Sequence, residues 1–235
     1  VKIEKMNLMM FDVDGTLVRS NEYDAECYVN AVSTTLGISV VDTVWENYEH
    51  VSDSGVIDEL VRRNYDRAPT EKEFRQVKAS FLMELDRAFD RKPHLARPID
   101  GAITFLASVR SKPDLVVSIA TGGWEKSCRK KLMHSGVSVD GIPLASADDA
   151  LSRVDIMKAS LRKAEKVYQQ SNFNSVIYVG DATWDLKASR ELGWHFIAVG
   201  ESILSSLDDR PQFWGKDFTD DQVMSDILEK IRGMA

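Results

Sequence analysis

The chain has 235 residues, long enough for one core domain carrying a smaller inserted one, and it needs neither disulfides nor a structural metal to stabilise that core. Only Cys27 and Cys128 are present, without CxxC or zinc-like spacing, which excludes a disulfide framework and reads as two reduced thiols. A net charge of -7 argues against binding nucleic acid or an anionic membrane through bulk charge, so an anionic substrate requires a local site.

In chain order, residues 7 to 13 form a short apolar run that ends in acidic and glycine-containing sequence, as a buried parallel strand does where it enters a loop. Similar runs at 115 to 120, 175 to 179 and 195 to 199 predict further strands, with a weaker one at 142 to 146. Helical stripes separate them: Ile103, Leu106 and Val109, then Ile156, Ser160, Ala164 and Val167, with a last helix at 221 to 232. Strands alternating with helices imply right-handed crossovers, hence an α/β fold with a doubly wound parallel sheet.

Residues 18 to 97 break this rhythm. They hold amphipathic stripes (Ala25, Val29, Val32, Leu36; Phe74, Val77, Phe81, Leu85, Phe89) and no convincing strand, which predicts an inserted all-α domain. The expected organisation is a core from residues 1–17 and 98–235 and a helical cap from 18–97, with prolines 93 and 98 marking the return. No apolar run is long enough for a membrane span and no signal peptide precedes the first strand, so a soluble cytoplasmic protein is expected, as monomer or homodimer.

The strongest chemical signal is Phe11-Asp12-Val13-Asp14-Gly15-Thr16-Leu17. Two aspartates two residues apart on an extended chain point to one side, and Gly15 lets the chain turn away. Asp-Gly is also an ordinary turn former, but the apolar strand in front favours the functional reading. This segment resembles the first motif of the haloacid dehalogenase-like superfamily, in which the first aspartate attacks phosphorus and the second serves as acid and base. The resemblance therefore implies Asp12 as nucleophile and Asp14 as proton donor and acceptor.

The remaining motifs follow in order. Thr121 ends the strand at 115 to 120, where the superfamily places a hydroxyl that binds a phosphoryl oxygen, and Gly122 and Gly123 expose backbone N–H groups at a helix start. For the basic residue, Arg153 and Lys158 compete. Ser152 is a plausible N-cap, so Arg153 falls in the first helical turn, whereas Lys158 sits roughly 7.5 Å further along at about 1.5 Å per residue. Arg153 is the favoured residue. Gly180-Asp181-Ala182-Thr183-Trp184-Asp185 resembles the acidic metal motif, although Asp181 or Thr183 also suits a helix cap.

Carboxylates facing a phosphate ester require a cation, and Mg²⁺ suits oxygen ligands. The resemblance implies ligands from Asp12, Asp181 and the Asp14 backbone carbonyl, with Asp185 steadying the site. It also implies that the helical insert closes over the site, and that the chain is a phosphatase acting on a small phosphorylated metabolite, nearest the phosphoglycolate phosphatase-like group. A β-phosphoglucomutase-like phosphotransferase shares the aspartate pair and the helical cap. A receiver-like module also phosphorylates an aspartate, but such modules have about half this length and no large cap.

Three other features have competing readings. The segment His50 to Gly55 resembles the specificity loop of helical caps, yet a helix N-cap by Ser52 or Asp53 explains it equally well. Trp124 and Trp184 lie close to motif residues, with core packing the simpler expectation, and His195 at a strand start is structural.

Overall fold

The computed structural model describes residues 6–205, 211 and 213–233. Its sheet is built from β1 (Asn7–Phe11), β4 (Leu115–Ala120), β5 (Leu144–Ala145), β6 (Val176–Gly180), β7 (His195–Val199) and β8 (Phe213–Gly215). The spatial order is β5-β4-β1-β6-β7-β8, with every neighbouring pair parallel. The doubly wound α/β expectation is therefore met. The order reverses at β1, which lies between β4 and β6, and such a switch point opens a crevice at the carboxyl ends of the strands.

Alternation along β1 builds both layers. Leu8 and Met10 join one cluster with Ile156, Met157, Tyr178 and Leu186, while Met9 and Phe11 join the other with Phe105, Leu106 and Leu228. The first layer is covered by α6 (Arg153–Tyr168) and α7 (Thr183–Leu192). The second is covered by α4 (Ala102–Ser111), α5 (Glu125–Ser135) and α9 (Asp221–Gly233); a short helix α8 (Ser202–Ser205) follows β7.

The predicted strands shift slightly. The first ends at Phe11 rather than residue 13, although Asp12 N–H still donates to Val179 O at 2.9 Å and Asp14 bridges to Val18, and the weak strand at 142 to 146 shrinks to Leu144–Ala145. Strand β8 has only three residues, too few for an apolar pattern to stand out in the sequence. Two stripes are corrected. Ile103 and Val167 are exposed, and Ala102 and Phe105 bury in place of Ile103. Both are apolar residues just outside the buried arc, which periodicity alone does not separate from it.

Three helices lie between two short strands. β2 (Val18–Arg19) and β3 (Arg97–Pro98) pair antiparallel, so the outgoing and returning connections run side by side. Between them come α1 (Asn21–Leu36), α2 (Asp53–Tyr65) and α3 (Glu71–Arg91), with a 3₁₀ turn at Trp45–Asn47. The α3 stripe Val77, Phe81, Leu85 and Phe89 is buried, whereas α1 buries Tyr28, Ala31, Val32 and Leu36 and leaves Ala25 and Val29 only half-buried. Thr70 and Glu73 form a reciprocal capping box at the α3 start. No helix among the described residues is long and apolar enough to cross a membrane.

The helical insert docks on the core through aromatic side chains. Trp124, at the N-cap of α5, stacks on Tyr28 at 5.9 Å and meets Phe81 edge-on at 5.8 Å. Its indole N–H donates to Ser54 Oγ at 2.8 Å. Packing is thus the role of Trp124.

Candidate active site

Three neighbouring strands deliver the motif residues to one edge of the sheet. Asp12 follows β1, Thr121 follows β4 and Asp181 follows β6. Asp185 lies on α7 and Arg153 opens α6, whose N-cap Ser152 accepts from Asp155 N–H. Neither Asp181 nor Thr183 caps α7, because the N-cap position falls on Ala182, so both side chains are released from that duty.

Ligand oxygens of Asp12, Asp181 and Asp185 lie within 4.8 Å of one another. Asp12 is 4% exposed and Asp185 is fully buried. Arg153 binds this group: Nη1 donates to Asp12 Oδ1 at 3.1 Å and Nε stands 3.3 Å from Asp185 Oδ1. Lys158 does not take part; it is half-exposed and reaches Asp155 at 3.7 Å. Thr16 and Asn21 donate to the two Asp181 oxygens at 3.3 and 3.4 Å.

Glycine is required twice. Gly15 has φ +80°, and a Cβ there would stand 2.0 Å from Asp181 Oδ2. Gly15→Ala is expected to lower stability by at least about 2 kcal/mol and to displace Asp181, which a urea melt checks. At Gly122 a Cβ would come within 2.8 Å of Arg153 Nη2, so the backbone passes against the guanidinium. Thr121 is fully buried, and its Oγ1 accepts from Gly123 N–H at 3.2 Å.

Burial sets the electrostatics. It lifts the Asp12 carboxyl to about 8, with Arg153 opposing and Asp185 and Asp14 adding to the rise. Asp181 rises to about 7 through burial and the charge of Asp12, and Asp185 to about 7 through burial against the pull of Arg153. Both Asp185 carboxylate oxygens are buried without a hydrogen-bond partner. Three desolvated carboxylates facing one guanidinium therefore suit a divalent cation, and an all-oxygen donor set fits Mg²⁺.

A pH prediction follows. Folded-state values above the ordinary 3.8 mean that the metal-free fold binds these protons more tightly than the unfolded chain does. That contribution to stability is complete below the ordinary carboxylate value and is lost as pH rises through about 7 to 8. The Tm of chelated protein should fall between about pH 5 and 8.5, and Mg²⁺ should raise Tm more at the upper end, since binding needs the carboxylates deprotonated. A Mg²⁺ effect greater at low pH would contradict this.

Lys131, Asp24 and Ser20 had no sequence motif to announce them. Lys131 on α5 is fully buried, and its ammonium reaches Asp14 Oδ1 at 2.6 Å and Asp24 Oδ1 at 2.8 Å. Burial works against its charge, but Asp14, Asp24 and Asp53 outweigh that and hold it well above the usual lysine value. Ser20 also donates to Asp14. Ser52 is the N-cap of α2, while Asp53 inserts beside Thr121: its N–H donates to Gly122 O at 2.8 Å and its carboxylate accepts from Trp124 N–H at 2.9 Å. Lys131 stands four residues from the buried Ser127 and Ser135, but that spacing of serines is no sign of burial in the sequence.

Asp12, Asp14, Thr121, Arg153 and Asp181 border one cavity of about 190 Å³, which Tyr28, Trp45 and Asp53 of the helical insert and Trp184 of α7 also line. Asn21 and Asp181 separate it from an outer cleft of about 1180 Å³.

The haloacid dehalogenase-like hydrolase family model matches residues 9–199. The chain belongs to that family. No curated protein matches it. Among solved structures, a hydrolase from Pseudomonas syringae superposes with TM-score 0.68 at 18% identity, over 96% of this chain and 99% of that one. A β-phosphoglucomutase from Clostridium difficile gives 0.67 at 17%, over 96% and 99%. CbbY from Rhodobacter sphaeroides, in complex with phosphate, gives 0.67 at 15%, over 92% and 96%. At these identities the likeness speaks for the fold.

Proposed function

We propose that this family member is a Mg²⁺-dependent phosphatase that hydrolyses a small phosphomonoester through an aspartyl phosphate on Asp12. The observation that supports this reading is the group of buried Asp12 and Asp185 with half-buried Asp181, facing Arg153 at the carboxyl ends of β1 and β6. Residues 18–97 act as the cap and the remainder as the core. The Asp12 and Asp181 carboxylates and the Asp14 carbonyl would hold the ion, with Asp185 supporting them. Bound there, Mg²⁺ would supply positive charge against the phosphoryl oxygens.

Asp12 attacks phosphorus in line, forming an O–P bond as the ester P–O bond breaks, and Asp14 delivers a proton to the departing alkoxide. Water then forms its own bond to phosphorus, the Asp12–phosphate bond breaks, and Asp14 recovers a proton from that water. Arg153, Thr121 and the N–H group at Gly122 hold the transferring oxygens, while Gly123 N–H orients the Thr121 hydroxyl. Closure of the cap residues over the cavity keeps bulk water from the first step.

The test is phosphate release from a panel of small phosphomonoesters, with Mg²⁺ or with chelator. Metal-dependent release is expected, and the best ester names the substrate, with phosphoglycolate-like esters among the first to try. The likeness to a β-phosphoglucomutase carries a second reading, transfer between sugar positions. An isomerised sugar phosphate without free phosphate would favour it.

A further inference from the structure

We propose that Lys131 is a positioning residue for Asp14, and that by sharing its ammonium with Asp24 it couples the placement of that acid-base group to closure of the cap. The inference rests on the phosphatase reading and adds to it a residue outside every motif.

Helix α5 belongs to the core, but it is also the element on which the helical insert sits. Phe89 of α3 lies over His134 at 4.4 Å, and Asp86 of α3 pairs with Lys130. Lys131 points the other way, inward. Its side chain has no exposed surface, while Asp14 and Asp24 retain 20% and 19%. The ammonium makes contacts of 2.6 and 2.7 Å with the two oxygens of Asp14, and one of 2.8 Å with Asp24 on α1. One carboxylate comes from the core loop after β1 and the other from the cap.

A buried ammonium is costly unless its donors are used, so this lysine is committed to both partners together. Two consequences follow. With the two Lys131 contacts and Ser20 on its oxygens, Asp14 is held in one rotamer on the wall of the cavity that it shares with Asp12. Opening the cap would take Asp24 away from Lys131, so the three-way arrangement favours the closed form. A Ser20, Asp14, Asp24 and Lys131 cluster at core spacing also has a purely structural interpretation, and the experiment separates the two.

Lys131→Met and Asp24→Asn would be compared with wild type on an alkyl phosphate, whose alkoxide needs a proton to leave, and on p-nitrophenyl phosphate, whose phenolate does not. Lys131→Met should lose about 100-fold in kcat on the alkyl ester and less than about threefold on the aryl ester. In an Asp14→Asn background it should cost less than about twofold further, because it acts through Asp14. Asp24→Asn should raise KM at least about threefold for both esters and leave their kcat ratio unchanged. Equal losses on both esters, a loss that multiplies with Asp14→Asn, or an unchanged KM in Asp24→Asn would overturn the proposal. If Lys131→Met fails to fold by circular dichroism, the Asp24→Asn KM decides alone. Failure of the phosphatase reading looks different: wild type then shows no Asp12-dependent release from either ester.

Discussion

Asp12→Asn should abolish metal-dependent phosphate release, by at least about 10³-fold, while leaving the fold intact. The amide keeps the size of the carboxylate and mimics its protonated form, so in chelated protein Tm should stay level below about pH 8 and exceed wild type above it. Retention of that contrast is informative, because it separates chemistry from stability at one atom. Kinetics on the best ester, with a thermal melt of the same preparation, measure both halves. Near wild-type turnover would remove Asp12 as nucleophile.

Arg153→Met should have the opposite balance, lowering stability by about 3 to 5 kcal/mol as well as activity by about 100-fold. The guanidinium binds Asp12 and faces Asp185 from a position only 9% exposed, so its loss leaves buried carboxylates facing one another. Mg²⁺ should then stabilise the variant more than wild type, since the ion takes over part of the neutralisation. Lys158→Met is the control. Its ammonium reaches Asp155 on an exposed helix face, and its removal should change stability by less than about 0.5 kcal/mol. Urea melts of both variants with and without Mg²⁺ test the pair, and a larger effect at Lys158 would reverse the assignment.

Much of this was legible in the residues because the motifs combine apolar strands with short polar endings. Asp12, Thr121 and Asp181 each stand one residue beyond a strand, so finding the strands found residues that the fold gathers around one cavity. Helix rise and an N-cap separate Arg153 from Lys158 in the sequence, and the structure sets Arg153 against Asp12 and leaves Lys158 beside Asp155. The change of period over residues 18 to 97 coincides with the three helices between β2 and β3.

What stayed hidden depends on contacts between distant segments. The Lys131 link to Asp14 spans 117 residues, and no local pattern distinguishes that lysine from its neighbours, the exposed Arg129 and the half-buried Lys130. Asp24, Asp53 and Asn21 enter the site only because the insert folds back over the sheet edge. Asp53 and Ser52 are both cap candidates by sequence; Ser52 fills that role and frees Asp53 to face Gly122 and Trp124. Trp124 combined a motif neighbour and a docking residue, which sequence separates only by its burial.

The stereochemical course at phosphorus tests the central claim most directly, using an ester made chiral with oxygen isotopes. Two in-line displacements, first by Asp12 and then by water, give overall retention of configuration. Inversion would mean that water attacks the ester in one step, and would contradict an aspartyl phosphate on Asp12.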